Sequence, residues 1–402
     1  MNTLDIKRCE DCPVSLVKDA GKILDKNKTM KSTLLFLFFF LFTTTSIVKA
    51  QSPYIHKVYA YRPAPGQFVN LLPEYEAGDT QVDMNRKAEE SISGENKALI
   101  SLGGYGGYVI FGFDHPIVNV SNVEDFKVWG NAMDGSAEPG VVMVSYDANG
   151  NGEPDDEWFE LAGSEYNNLN TIKDYRIIYY KPIENPHESI NNADQRWSDN
   201  QGAEGYIPRN AFHSQPYYPQ WISDETLSFE GTKLTDNYVD ESGNGSYYVL
   251  NAYPWGYADN YSNADERSNL NIEWAVDAAG NPVHLPAIHF VKVYTAVNQY
   301  CGWLGETSTE ITGAEDLHPS AIISGIKQNE ADQTFLLLNN PVKDQLIIAS
   351  ERKQNVYIYD CLGRKRTSFD VESGTNYISC SQLPQGIYVL VNGDQTIKFI
   401  KQ

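Results

Sequence analysis

The stretch "GVVMVSYDANGNGEPDDEW", Gly140 to Trp158, decides how this chain reads. Its first half is a short β-branched run; its second half crowds acids, asparagines and glycines into a loop. An apolar run of that length bounded by turn residues is a strand entering a connection. The same pattern recurs in "YIHKVYAY" from Tyr54, "YVIFGF" from Tyr108, "DFKVWG" from Asp125, "YRIIYY" from Tyr175, "GSYYVL" from Gly245 and "HFVKVYTAV" from His289. Helical spacing is convincing only in "DTQVDMNRKAEESI", Asp79 to Ile92. The expected class is all-β, built as a sandwich.

The loop admits three readings. In a calcium loop, Asp147, Asn149 and Asn151 stand at positions one, three and five, Gly152 permits the turn at six, and Asp155 falls at nine. Short oxygen-bearing side chains at alternate positions converge on one point, which a hard cation rewards. Position twelve is Trp158 where an EF-hand needs a bidentate Glu, so Asp156 or Glu157 would have to complete the shell. The plain alternative is a turn rich in Asn, Asp and Gly with no metal. The third is an acid pair for hydrolysis, drawn from Asp147, Asp155, Glu157, Asp240 and Glu306, which needs two carboxyls about 5 to 10 Å apart across a cleft. The acidic runs at Asp240–Gly245 and Ala264–Asn269 read as solvated turns or a second cation site.

Charge and export signals narrow the function. The 402 residues carry a net charge of −22, which excludes nucleic acid as a partner because phosphate binding needs clustered Lys and Arg. "MKSTLLFLFFFLFTTTSIVKA", Met30 to Ala50, has a basic start, a short apolar core and small residues at its end, as a secretory signal has. The apolar run is about half of the roughly 20 residues a membrane span needs. Residues 1–29 then lie upstream of the expected start, and "CEDC" at Cys9–Cys12 lacks the second ligand pair of a zinc site. The cysteines beyond residue 50, Cys301, Cys361 and Cys380, are too few for a disulfide scaffold, although Cys361 and Cys380 could pair.

Catalytic signatures are missing from the sequence. The seven histidines, at 56, 115, 187, 213, 284, 289 and 318, stand singly, without HxH or HExxH spacing. No GxSxG occurs, and "GGYGG" at Gly103–Gly107 lacks the Lys-Ser/Thr of a phosphate loop, so it reads as a tight bend. Aromatics concentrate instead in loop-like stretches: "HSQPYYPQW" from His213, "YPWGYADNY" from Tyr253 and "YCGWLGE" from Tyr300. Tyr217, Tyr218, Trp221, Trp255, Tyr257 and Trp303 are therefore the candidate ligand contacts, the alternative being that they cap the core.

Near residue 320 an aromatic-rich body gives way to a lighter tail of about six short strands, which fits a small immunoglobulin-like sandwich. Asn340-Pro341, "IYDCLGR" at Ile358–Arg364 and "LPQGIYVL" at Leu383–Leu390, before a basic last strand, resemble the type A C-terminal sorting domain of the Bacteroidetes type IX secretion system. That resemblance covers residues 334–402 and implies export across the outer membrane by that machinery. With 326–333 as linker, it leaves 51–325 as the functional body.

In the body, "ISLGGYGGYVIFGFDHPIVN", "DFKVWGNA", the Glu138–Leu161 stretch and the segment from His289 to Leu317 resemble Bacteroidetes cell-surface proteins often labelled PKD-containing. Their pattern is similar to jelly-roll sandwiches of discoidin-type and carbohydrate-binding modules, with residues 166–270 as an elaboration. It implies a jelly-roll-like domain binding a glycan or other nutrient ligand, in some relatives beside an outer-membrane transporter. Asn131 and Glu138 fall within the shared pattern as second-tier candidates for cation or ligand contact. The expectation is a calcium-supported surface binding protein; a hydrolase or an adhesive module are the alternatives.

Overall fold

The computed structural model describes residues 51–95, 98–183, 194–321, 335–360, 363–392 and 395–402. The signal segment, the linker and Cys361 lie outside them. The strand pairs among the described residues are antiparallel, with one α-helix beside them, and none of their helices is long and apolar enough to cross a membrane.

The opening stretch forms the strand Gly140–Ser145, deep inside a six-stranded sheet. The sheet runs in the order Lys57–Arg62, Tyr108–Val118, Ala287–Thr295, Gly140–Ser145, Trp158–Leu161, Ala275–Val276. Val144 lies opposite both Val291 and Phe159. On one face, Val142 and Val144 join Phe111, Phe159, Val291 and Val293 in the main core. On the other, Val141 and Tyr294 meet Tyr175, Ile177, Tyr179 and Phe229 of a four-stranded sheet. A strand covered on both faces has no polar side, which is why this run is continuously apolar instead of alternating.

The helix, Gln81–Ile92, closes the first face. Thr80 caps it, with Asp83 returning the bond, and Met84, Ala88 and Ile92 form its buried stripe. Its Asn85 and Glu89 side chains accept from the backbone N–H groups of Tyr61 and Val58 on the edge strand. The bend expected at Gly103–Gly107 is there: Gly103 has φ +69°, and a Cβ on it would lie 1.9 Å from the Ala64 carbonyl oxygen.

The tail forms a second sandwich. Phe335–Leu337, Gln345–Ser350 and Gly374–Ser379 make one sheet; Lys365–Val371, Gln354–Asp360, Gly386–Asn392 and Gln395–Lys401 make the other. Leu346, Ile348, Val356, Ile358, Leu390 and Phe399 fill the space between. Its described residues form seven strands where the sequence suggested about six. Cys380 is buried and has no disulfide partner among the described residues.

Candidate cation centre

The Asp147–Glu157 loop gathers its short side chains, and it does so by hydrogen bonding to itself. The Asp147 carboxylate accepts from Asn151 N at 3.1 Å and Gly152 N at 2.9 Å. Asn149 and Asn151 donate their amides to the two oxygens of Asp155, each at 3.0 Å, and these bonds hold Asp155 below the usual carboxylate range. Asp156 turns inward, accepting from Ala148 N at 2.9 Å, and its burial raises its pKa. Glu157 leaves the loop to bond the Tyr377 phenol. Asp147, Asn149, Asn151 and Asp155 are thus bonded to one another, Asp156 accepts from the backbone of Ala148 and Asn149 in the same loop, and Glu157 bonds outside it. Asp240 closes its own turn in the same manner, accepting from Ser242, Gly243 and Gly245, as a solvated Asx turn does.

The aromatic candidates divide. Tyr217, Tyr218 and Tyr257 are buried, and the hydroxyls of Tyr217 and Tyr257 accept from the backbone N–H groups of Asn210 and Glu165, each at 2.9 Å. They are posts of the core, so the composition of their loops misleads about their exposure. Trp221 is half-buried, stacks on Tyr61 and Tyr75, and donates to Gln81. Trp255 sits against Trp274 with ring centres 4.7 Å apart and keeps an exposed face. Trp303 is 56 % exposed.

A denser acid group lies elsewhere. Glu138, Asp259 and Glu310 each bring a carboxylate oxygen within 4.8 Å of the others, a partly buried cluster that could hold a metal ion. Asp259 is buried at φ +50°. Its Oδ1 accepts from Asn131 N and Ala132 N, both at 2.8 Å, and its Oδ2 from Glu310 N at 2.9 Å. Gly130 makes the room: a Cβ there would stand 2.1 Å from Asp259 Oδ1. Glu310 accepts from Ser308 Oγ at 2.6 Å, and also from Glu138, Ser101 and Asn131.

Among the described residues no Lys, Arg or His forms an ion pair with any of these acids. Burial, then the charge of Glu310, pushes Asp259 up to about 8 against its three backbone bonds. Burial and the charges of Glu310, Asp259 and Glu306 push Glu138 well up, and burial raises Glu310 against its hydrogen bonds. Acids this close cannot all ionise without a cation or a retained proton.

The sequence singled out Glu138 and Asn131, and Glu306 for another role, but missed Asp259 and Glu310. Asp259 sits inside an aromatic stretch. Glu310 ends "ETSTE", a polar run that reads as exposed loop but is buried from Glu306 through Glu310. The alternation of Glu306, Ser308 and Glu310 in an extended segment was the usable signal.

Residues 339–402 match the family described as the secretion system C-terminal sorting domain. No curated protein matches the chain. The tail therefore addresses the protein to type IX secretion, which exports it to the cell surface or beyond and makes the secretion machinery a partner. The likeness of residues 51–325 to surface sandwiches rests on the quoted residues alone.

Proposed function

We propose that the body is a surface-displayed binding domain that captures a glycan or similar nutrient ligand through exposed aromatic rings on rigid loops, for hand-over to an outer-membrane transporter. The observation that carries this reading is the setting of Trp303. Its Nε1 donates to Ser246 O at 3.1 Å, and its carbonyl accepts from Asn210 Nδ2 at 3.1 Å. These bonds tie together three segments, each presenting an exposed ring: Phe212 (78 % exposed), Tyr247 (55 %) and Trp303. Rings fixed in place lose little entropy on binding and offer flat apolar area to a sugar face. Trp255 is a second exposed ring on the body.

Calcium belongs to this reading as the support of the Asp147–Asp155 loop. Rotation of the Asn149 and Asn151 amides would present oxygens where they now donate, completing an oxygen-lined loop around Asp147 and Asp155. A hydrolase is less well supported, since Asp147 and Asp155 are committed to one turn and Asp240 to another.

The test is a glycan array probed with residues 51–402, followed by titration of Trp303→Ala and Phe212→Ala. The reading expects at least a tenfold affinity loss in either variant with an unchanged melting temperature. Binding that neither substitution alters would overturn it.

A further inference from the structure

We propose that Glu138, Asp259 and Glu310 hold one divalent cation, calcium by preference, which ties the Gly130–Glu138 loop to the segments carrying Asp259 and Glu310. This site is separate from the Asp147–Asp155 loop and does not rest on the glycan reading. Three acids converge from three distant parts of the chain, with one oxygen of each within 4.8 Å of the others. Several carboxylates on one ion suit calcium, which accepts many oxygen ligands in a flexible geometry, better than magnesium, which sheds its waters reluctantly. An all-oxygen donor set selects hard cations over zinc or copper.

A second, independent observation points to a ligand. Glu306 is 4 % exposed; its Oε1 accepts from Gln67 N at 2.8 Å, and its Oε2 has no partner. The charge of Glu306 bears on Glu138, and that of Glu310 on Glu306, so this lone buried acceptor belongs electrostatically to the cluster. A fourth buried carboxylate added to three others, with no basic side chain paired to any, is a costly arrangement that a bound cation relieves. Asn131 is exposed and Glu138 partly so, which gives the cluster the entry path a metal requires. Asn131 donates its amide to Glu310 and, on rotation, would offer an oxygen instead. Gly130, which admits only a hydrogen beside Asp259, fits a backbone drawn close around the ion.

The ion joins three segments of the body, so its effect is read in stability as well as binding. Residues 51–402, stripped with a chelator, are titrated with calcium by calorimetry and melted with and without it. The loop variant Asp147→Ala plus Asp155→Ala should still bind one calcium per chain and melt higher in its presence. Glu310→Gln added to that background should weaken binding at least tenfold and abolish the rise, while its far-UV spectrum stays native. If Glu310→Gln does not fold, Glu138→Gln at the open edge takes its place with the same expectation. The proposal is overturned if the loop variant binds no calcium, magnesium or manganese, or if it binds equally well after both glutamine substitutions. It is overturned too if melting responds to pH and not to any cation, because the acids then only share protons.

Discussion

In chelator, the stability of the chain should fall steeply as pH rises from 5.5 to 7.5, and the acid cluster sets the size of the effect. Asp259 moves from its ordinary value of 3.8 up to about 8, and Glu306 from 4.5 up to about 8, both chiefly through burial. Folded values above the unfolded ones mean that the native chain keeps protons the unfolded chain has released. The stability they contribute is complete below about pH 4 and drains away as pH climbs toward 8. One retained proton corresponds to about 1.4 kcal/mol per pH unit, hence about 3 kcal/mol over the two-unit window. At ~2 °C per kcal/mol for a domain of this size, the melting temperature drops by about 6 °C for each proton retained. Asp125, raised by burial to about 6, acts in the same direction at the lower end. His289, lowered by burial, opposes it there, because the folded chain resists charging that ring. The assay is scanning calorimetry at half-unit pH steps with a chelator, on wild type and Glu310→Gln. A melting temperature that is flat or rising across the window, or a slope unchanged in Glu310→Gln, would refute the reasoning that these carboxylates are buried together.

Three further outcomes follow from single contacts. Gly103→Ala should cost about 3 kcal/mol or more, because its Cβ would overlap the Ala64 carbonyl at a left-handed backbone position; urea denaturation measures it. Thr80→Ala should cost about 1 kcal/mol by removing the cap of the helix, read in the same experiment, and a neutral result would mean the helix end needs no cap. Removal of residues 339–402 should leave the body folded but retained inside the outer membrane, checked by surface labelling of cells and by the melting curve of the truncated protein.

The sequence was legible where local chemistry and tertiary context agree. "GVVMVSY" reads as a buried strand because β-branched residues suit a pleated surface, and the two-sided cover of the sheet merely fills both faces of a run already apolar. "DTQVDMNRKAEESI" reads as a helix because Thr80 and Asp83 form a capping pair and Met84, Ala88 and Ile92 repeat at helical spacing. The sorting tail was legible from its turns and strand rhythm. The Asp147–Asp155 loop was legible as a convergent turn, since its bonds join residues at most six apart.

What folding alone decided is which side chains from distant segments meet, and which of two similar rings faces water. Tyr217 and Trp303 both sit among Gly, Pro and polar neighbours, yet one is a buried post and the other an exposed ring, a difference set by what packs over each loop. Glu138, Asp259 and Glu310 are separated by 121 and 51 positions along the chain, and nothing local to any of them announces the other two. The sequence by itself fixed an exported, acidic β-sandwich protein with a sorting tail, because periodicity, charge and turn chemistry are local properties. The acid centre exists only in the tertiary structure, because its physics is the mutual burial of like charges brought together by the sheets.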